Sequence, residues 1–429
     1  MSPTDGSGTT LASELAPLAV AGFLRYVVID TQADPESDSV PTTAKQLDLS
    51  RLLVEELAAL GLSDAVLDEH GYVFATLPTT VAHHVPTIAL IAHVDTAPDA
   101  SGANVKPQVV KYEGGVMSLP GDSRVMLDPA ISPELDNHIG HEIITSDGTT
   151  LLGADNKAGV AEIMAAVEYL VAHPEIRHGP VRICFTRDEE VGKGVDLLDL
   201  DRLAADAAYT IDGSALGSIE DETFSALEAK VIFTGIAVHP GFAKNRLVNA
   251  VKVACRFVES LPADSLSPET TDGREGFVNP MTIAGQEDRV TVAMNLRDFD
   301  AERLADHERL IRDLAADAVA AYPGSSVEIE VVEPYRNMKE YLVDHPHVVE
   351  AAAEAIRRTG LEVIGGFVRG GTDGSRLSQK GLPTPNLFTG QHDIHSLHEW
   401  ICVDDMGAAT ETIVHLLAVW AENAERRDQ

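Results

Sequence analysis

At 429 residues the chain exceeds what one hydrophobic core comfortably fills, so two domains are the default expectation. Hydrophobic residues make up 44% of it, which excludes disorder, and no apolar run of about 18 residues is present to span a bilayer. The formal charge of −36 excludes nucleic acid and anionic membrane as partners, because both would be repelled.

The opening Ser2-Pro-Thr-Asp-Gly-Ser-Gly-Thr has no basic or long apolar stretch, so residues 1–14 are expected to form a flexible tail without a secretion signal. Apolar residues then recur at helical spacing from Leu18 to Val28 and from Ala44 to Leu60, the second run stopping at Gly61. An acidic loop from Asp30 to Pro41 separates them. A strand near Gly71–Thr76 precedes Thr87-Ile-Ala-Leu-Ile-Ala-His93-Val-Asp95, a nearly continuous apolar run of the kind found in a sheet covered on both faces. His93 and Asp95 are two apart and would project from one face. Residues 98–142, rich in Gly, Pro and Asp, read as an excursion. The next stretch, Thr149-Thr-Leu-Leu-Gly-Ala-Asp155-Asn-Lys-Ala-Gly159, predicts a short strand that stops at a carboxylate where a helix begins. Val160, Ile163, Met164, Val167 and Leu170 form the buried stripe of that helix. Strands ending in acids recur at Val181 to Glu190, at Ala207 to Asp212, and at Pro385 to Glu399.

A different rhythm runs between these parts. Leu227 to Val238, Val290 to Asp298 and Val327 to Val332 alternate like half-exposed strands, while Leu247 to Leu261 and Ala301 to Tyr322 are helical. This order predicts a smaller α+β domain at 222–335, inserted in an α/β domain of residues 15–221 and 336–429 whose last helices are Val348–Thr359 and Met406–Arg427. The larger domain is expected to contain a mixed, largely parallel sheet with helices on both faces. Ligands of such sheets gather beyond the carboxyl ends of the strands.

Pooling those ends collects His93, Asp95, Asp155, Glu189, Glu190, Asp212 and His395. Alone, Asp155 would read as a helix cap. Five segments ending alike point elsewhere, because converging carboxylates repel one another unless cations neutralise them. Imidazole and carboxylate without thiolate suit zinc, with manganese or cobalt as substitutes. One histidine and one terminal carboxylate per ion, with one carboxylate shared, would hold two ions ~3.5–4 Å apart. Asp155 is the natural bridge. Of the neighbours Glu189 and Glu190, one can ligate while the other stays free as a base, and spacing does not decide which. Asp95 is placed to accept the second ring N–H of His93. Cys184, Cys255 and Cys402 are odd in number and far apart, against a disulfide framework or a CxxC zinc site and in keeping with a cytoplasmic protein.

These motifs resemble a known family. Ala92-His93-Val-Asp95-Thr-Ala-Pro-Asp, the Thr149 to Gly159 stretch, Phe185-Thr-Arg-Asp-Glu189-Glu190-Val-Gly-Lys-Gly, Tyr209-Thr-Ile-Asp212-Gly, Val238-His239-Pro-Gly-Phe-Ala-Lys, Leu296-Arg297-Asp-Phe-Asp and Arg369-Gly-Gly-Thr-Asp-Gly are similar to the peptidase T family. They occur in the family's order and spacing from about Phe23 to the last helix. The family comprises tripeptide aminopeptidases of the two-zinc M20 metallopeptidases, in which a catalytic domain carries a lid. The resemblance implies that His93 and Asp212 hold one zinc, Glu190 and His395 the other, and Asp155 both. It makes Glu189 the general base and acid, Asp95 the orienting carboxylate and 222–335 the lid. His395, with Glu399 four residues on, matches the ligand pattern better than His392 or His398. Asn156 departs from the family, which has a second Asp there, and Arg187 stands where the family has Pro.

The activity so implied is metal-assisted release of the N-terminal residue from tripeptides, with Glu189 carrying the proton from water to the departing amine. His239 would stabilise the oxyanion; otherwise it is a turn histidine before Pro240-Gly241. Arg297 and Arg369 are candidates to clamp the peptide's terminal carboxylate. As structural alternatives, Arg297 would pair with Asp298 or Asp300, and Arg369 with Asp373. Competing readings are a dipeptidase or N-acyl-amino-acid deacylase on the same scaffold, or a non-catalytic peptide- or metal-binding protein. A free Glu189 argues against the last. The expected partner is a small peptide, with edge-to-edge homodimerisation through the inserted sheet left open.

Overall fold

The computed structural model describes residues 10–427, so residues 1–9 of the expected tail lie outside the described residues. The first helix, Leu11–Tyr26, begins inside the stretch expected to be tail and earlier than the apolar period from Leu18 suggested. Thr10 starts it, its hydroxyl accepting the Ser13 N–H at 3.3 Å, and Leu15, Ala19 and Phe23 bury its inner face.

The chain divides into two compact units: Met1–Asp221 with Tyr341–Gly366 and Thr372–Gln429, and Glu222–Glu340 with Phe367–Gly371. Residues 336–340 and Phe367–Gly371 thus pack with the second unit, whereas the sequence reading drew the boundary at 335.

An eight-stranded sheet, most of it in the first unit, runs in the order Val66–Leu67, Val73–Leu77, Val181–Thr186, Ile88–His93, Ala207–Gly213, Asn386–Phe388, Ser218–Thr223 and Ile364–Val368. The central four, Val181–Thr186 to Asn386–Phe388, run parallel, and antiparallel partners flank them. Every residue of Ile88–His93 is buried because alternate side chains enter different cores. Leu90 and Ala92 pack with the helices Leu11–Tyr26, Ala154–Ala172, Pro346–Thr359 and Val403–Arg427, whereas Ala89 and Ile91 pack with Tyr72, Phe74, Leu203 and Leu377. Two-sided cover leaves the carboxyl ends of these strands as the open edge of the layer.

The excursion at 98–142 has structure of its own. Gln108–Lys111 and Glu142–Thr145 join Trp400–Cys402 and Gln391–His392 in a four-stranded antiparallel sheet. The expected strand before Asp155 is absent: 149–153 form no ladder. Its backbone N–H groups are occupied otherwise, those of Leu152 and Gly153 donating to the Glu399 carboxylate at 2.7 Å each. A side chain has replaced a neighbouring strand as the acceptor.

The second unit is a four-stranded antiparallel sheet in the order Phe277–Gly285, Arg289–Asp298, Ser225–Thr234 and Ser326–Tyr335, with helices Ala250–Ser260 and Ala301–Ala320. Arg289–Asp298 alternates strictly between buried and part-exposed positions, as a sheet with one covered face requires. Val231, Phe233, Val253, Phe257, Val292 and Ile311 form its core. Among the described residues no helix is long and apolar enough to cross a membrane.

Candidate metal centre

His93 is the last residue of its strand, and Asp212 lies near the end of the adjacent parallel strand Ala207–Gly213. Asp155 comes to them from the start of Ala154–Ala172, where its own backbone is not helical (φ −81°, ψ 104°) and Gly153 rather than Asp155 caps the helix. That helix seats closely on the strand because position 159 is glycine; a Cβ there would collide with the Ile211 carbonyl oxygen. His93 Nε2 consequently lies 3.0 Å from one oxygen of Asp155 and 3.6 Å from Asp212.

The other half hangs from turns. Glu189 and Glu190 occupy a short 3-10 turn after Val181–Thr186, and His395 lies in a turn beyond Gln391–His392, not at a strand end as its sequence context suggested. Asp188 and His395 hold left-handed backbones (φ 55° and 60°), which bend the chain sharply at both turns. His395 Nε2 lies 2.9 Å from Glu190 and 3.2 Å from the second oxygen of Asp155. Asp155 is therefore common to two groups, His93–Asp155–Asp212 and Asp155–Glu190–His395, within each of which the ligand atoms lie inside 4.8 Å.

Asp95 does more than orient an imidazole. Its two oxygens accept the backbone N–H groups of Glu189 and Glu190 at 3.1 Å each, while His93 Nδ1 lies 3.1 Å from its carbonyl oxygen and 3.4 Å from its carboxylate. One buried residue thereby registers the acidic turn against the histidine.

The electrostatics show a site short of positive charge. Burial alone would depress His93, yet the nearby Asp212 charge and the hydrogen bond with Asp155 lift it well above the usual histidine range. Burial would also lower His395, but hydrogen bonds with Asp155 and Glu190 push it up to about 11. Burial, reinforced by the Asp155 charge, pushes Glu190 up to about 8 and Asp212 up to about 7. Burial likewise drives Glu189 well above the carboxylate range. Asp155 moves the other way: burial opposes its charge, but the two histidines hold it below the usual range. Glu190 Oε1 and Asp212 Oδ1 are buried without a hydrogen-bond partner. Orphaned carboxylate oxygens facing imidazole nitrogens fit divalent cations, and the thiolate-free donor set fits zinc.

Several supporting residues were missed in the sequence. Glu399 is fully buried, and besides Leu152 and Gly153 it accepts the Asp155 N–H at 3.0 Å, so one carboxylate fixes the whole approach to the bridge. Asp188 is buried and accepts from Thr42, Gln46 Nε2 (2.6 Å) and Arg187 Nη1 (2.8 Å). This accounts for Arg187: buried over the Tyr72 ring, it neutralises the aspartate beneath the acidic turn. Asp373, held by the Thr186 hydroxyl at 2.7 Å, is pushed up to about 6 by burial. Asn156 accepts the Gly159 N–H at 3.2 Å, capping the regular part of the helix. The only signal for Glu399 was its place four residues after His395, while Thr42 and Gln46, which hold Asp188, and Thr186, which holds Asp373, are remote in sequence.

The expected substrate residues lie in the second unit. His239 is exposed, and its Nδ1 accepts the Gly241 N–H at 3.1 Å, the behaviour of a turn histidine. Arg297 pairs with neither Asp298 nor Asp300; it stacks 5.5 Å over Tyr335 and donates to the carbonyls of Leu227 and Leu296, while Asp298 takes His307 at 3.0 Å. Arg369 does not pair with Asp373. Its guanidinium donates to the carbonyls of Thr271, Gly273 and Glu275 and lies 5.2 Å over Phe224, bracing that loop.

The sequence profile of peptidase family M20/M25/M40 matches residues 146–419. Peptidase T of Geobacillus thermodenitrificans (strain NG80-2) is 46% identical over 401 residues, spanning 93% of this chain and 97% of the relative. Among solved structures, a tripeptidase from Staphylococcus aureus subsp. aureus mu50 superposes with a TM-score of 0.74 at 24% identity, covering 95% of this chain and 99% of its own. The Bacillus subtilis YXEP protein, described as a dinuclear metal binding peptidase from the M20 family, superposes with a TM-score of 0.64 at 15% identity, covering 96% and 99%. On the profile match and the near full-length identity, the chain belongs to peptidase family M20/M25/M40, in its peptidase T branch.

Proposed function

We propose that the chain is a di-metal aminopeptidase that releases the N-terminal residue from tripeptides, with zinc as the leading ion and manganese or cobalt as substitutes. One observation carries this reading: two histidine–carboxylate groups share Asp155, while Glu189, on the same turn, belongs to neither. His93 and Asp212 would hold one ion, Glu190 and His395 the other, and Asp155 both. When bound, such a pair supplies Lewis acidity toward a carbonyl oxygen and lowers the pKa of water. The dinuclear binding described for the Bacillus subtilis structural relative supports the count.

The chain's own residues do the rest. Asp95 holds His93 and the Glu189 backbone in register, so the base does not wander as the ligands settle. Glu189 takes a proton from the attacking water and returns it to the departing amine nitrogen. Burial favours its neutral form, which suits a carboxylate that must hold a proton between those two events. His239 is assigned to the developing oxyanion on the family resemblance, and Arg297 and Arg369 stay the candidates to clamp the peptide's terminal carboxylate by the chemistry of their guanidinium groups. Cys184 and Cys402 are buried free thiols, in keeping with a reducing cytoplasm.

Side-by-side assay of Ala-Ala-Ala, Ala-Ala and N-acetyl-Ala tests the substrate class. Release of N-terminal alanine from the tripeptide is expected, and comparable rates on the acetylated compound would select a deacylase. Glu189→Gln should retain both ions and lose about 10²–10⁴-fold in kcat. Full turnover by that metal-loaded variant removes Glu189 from the mechanism.

A further inference from the structure

Away from these residues, the small antiparallel sheet gathers a second set of metal-capable side chains. Cys402 ends the strand Trp400–Cys402, and Asp404 and Asp405 follow in the first turn of Val403–Arg427. His138 comes from the turn Pro133–His138, and His141 lies three residues on. A ring nitrogen of His138, the Cys402 sulfur and an Asp405 oxygen lie within 4.8 Å of one another, all three residues buried. His141 and Asp404 make a similar group with the same sulfur, but both are exposed.

The bonding of His138 points to a cation. Its Nδ1 lies 2.8 Å from the Glu134 carbonyl, which only accepts, so Nδ1 carries the proton. Its Nε2 faces the Asp405 carboxylate at 2.9 Å, which also only accepts. In neutral imidazole two lone pairs would oppose each other there, so a second proton or a metal ion belongs between them. Two further groups are orphaned nearby. Glu162 is fully buried, neither carboxyl oxygen has a hydrogen-bond partner, and the Asp405 charge acts on it. His392 Nε2 is buried and unpartnered, with its ring 5.8 Å from that of His138. Buried acids and idle nitrogens around one carboxylate are the surroundings a bound cation would complete.

We propose that Cys402 Sγ, His138 Nε2 and the Asp405 carboxylate hold one thiophilic divalent cation, zinc foremost, at a site that shares no ligand with the di-metal centre. Sulfur, nitrogen and oxygen donors from three residues leave a fourth position for water. Binding forms the metal–sulfur bond and releases the thiol proton and that of any imidazolium. The ion would pin the 133–138 turn to the strand that begins immediately after Glu399. It would thereby steady the segment from which Glu399 holds the Asp155 approach.

Cobalt loading of the full chain gives a direct test, because only a sulfur ligand produces a near-ultraviolet thiolate-to-cobalt charge-transfer band and the di-metal centre contains none. The band is expected in the wild type and absent from Cys402→Ser, with zinc content falling by one ion per chain in Cys402→Ser and in His138→Gln. A cobalt-loaded wild type without the band, a band that survives in Cys402→Ser, or zinc content unchanged in both variants overturns the proposal. These readouts stand whatever the fate of the di-metal reading, since they follow sulfur ligation and a difference in count.

Discussion

His93 and Asp212 stand on adjacent parallel strands inside the sheet, whereas Glu190 and His395 hang from short turns beyond it. The His93 side chain is 2% exposed and that of His395 38%. A strand end is held by ladder hydrogen bonds and by cores on both faces, so its side chain arrives already oriented. A turn has only its own few bonds, and here it borrows rigidity from Asp95, Asp188 and Glu399. The same chemical donors therefore sit in a stiff half and a propped half, joined through Asp155.

Removing the join should have the largest effect. Asp155→Asn withdraws the shared charge from both halves, and kcat/KM is expected to fall on the order of 10³-fold or more even with excess zinc. Metal analysis should show both ions weakened; wild-type retention of both would mean that Asp155 does not link them. Next come the histidines taken singly. His395→Ala should lose about 10²-fold in activity and recover part of it in excess zinc, while His93→Ala stays inactive, because the propped half can admit a water ligand. Equal recovery by the two variants would erase the distinction between the halves.

Glu399→Gln probes the props. An amide offers one accepting oxygen where the carboxylate serves three N–H groups with two, so metal affinity by chelator competition should weaken about 10–100-fold. Unchanged affinity would make Glu399 a fold residue only. The smallest effect is a control at the edge of the centre. Burial pushes Glu220 up to about 7, and Asn386, on the strand beside Asp212, donates to it at 2.6 Å. Its pKa is higher folded than unfolded, so its contribution to stability is complete below about pH 4.3 and is lost as pH rises through about 7. Glu220→Gln should therefore gain roughly 3 kcal/mol over the wild type between pH 4.5 and pH 8 in urea unfolding. The gain should be the same with and without chelator, separating charge burial from metal linkage.

What could be read in advance follows the same division. The uninterrupted apolar run at Ile88–His93 and the alternation in Arg289–Asp298 announced a two-sided and a one-sided sheet, because side-chain direction along a strand is a local property. The turn-borne groups were harder. Spacing alone could not choose between Glu189 and Glu190, and only the family resemblance ordered them. Residues 149–153 read as a strand because their apolar content is strand-like. Their actual acceptor, Glu399, lies more than two hundred residues away.

By itself the sequence marked most of the longer strands and helices, a stretch of different rhythm between 222 and 335, and a pool of acids and histidines at segment ends, since periods of two and 3.6 residues are written into neighbouring positions. Only the tertiary structure decided which nitrogen faces which oxygen, which buried residues brace the turns, and which carboxylates are left without a partner. The reason is physical: the cost of burying a charge depends on what packs around it, and the groups that meet around Asp155 come from opposite ends of the chain.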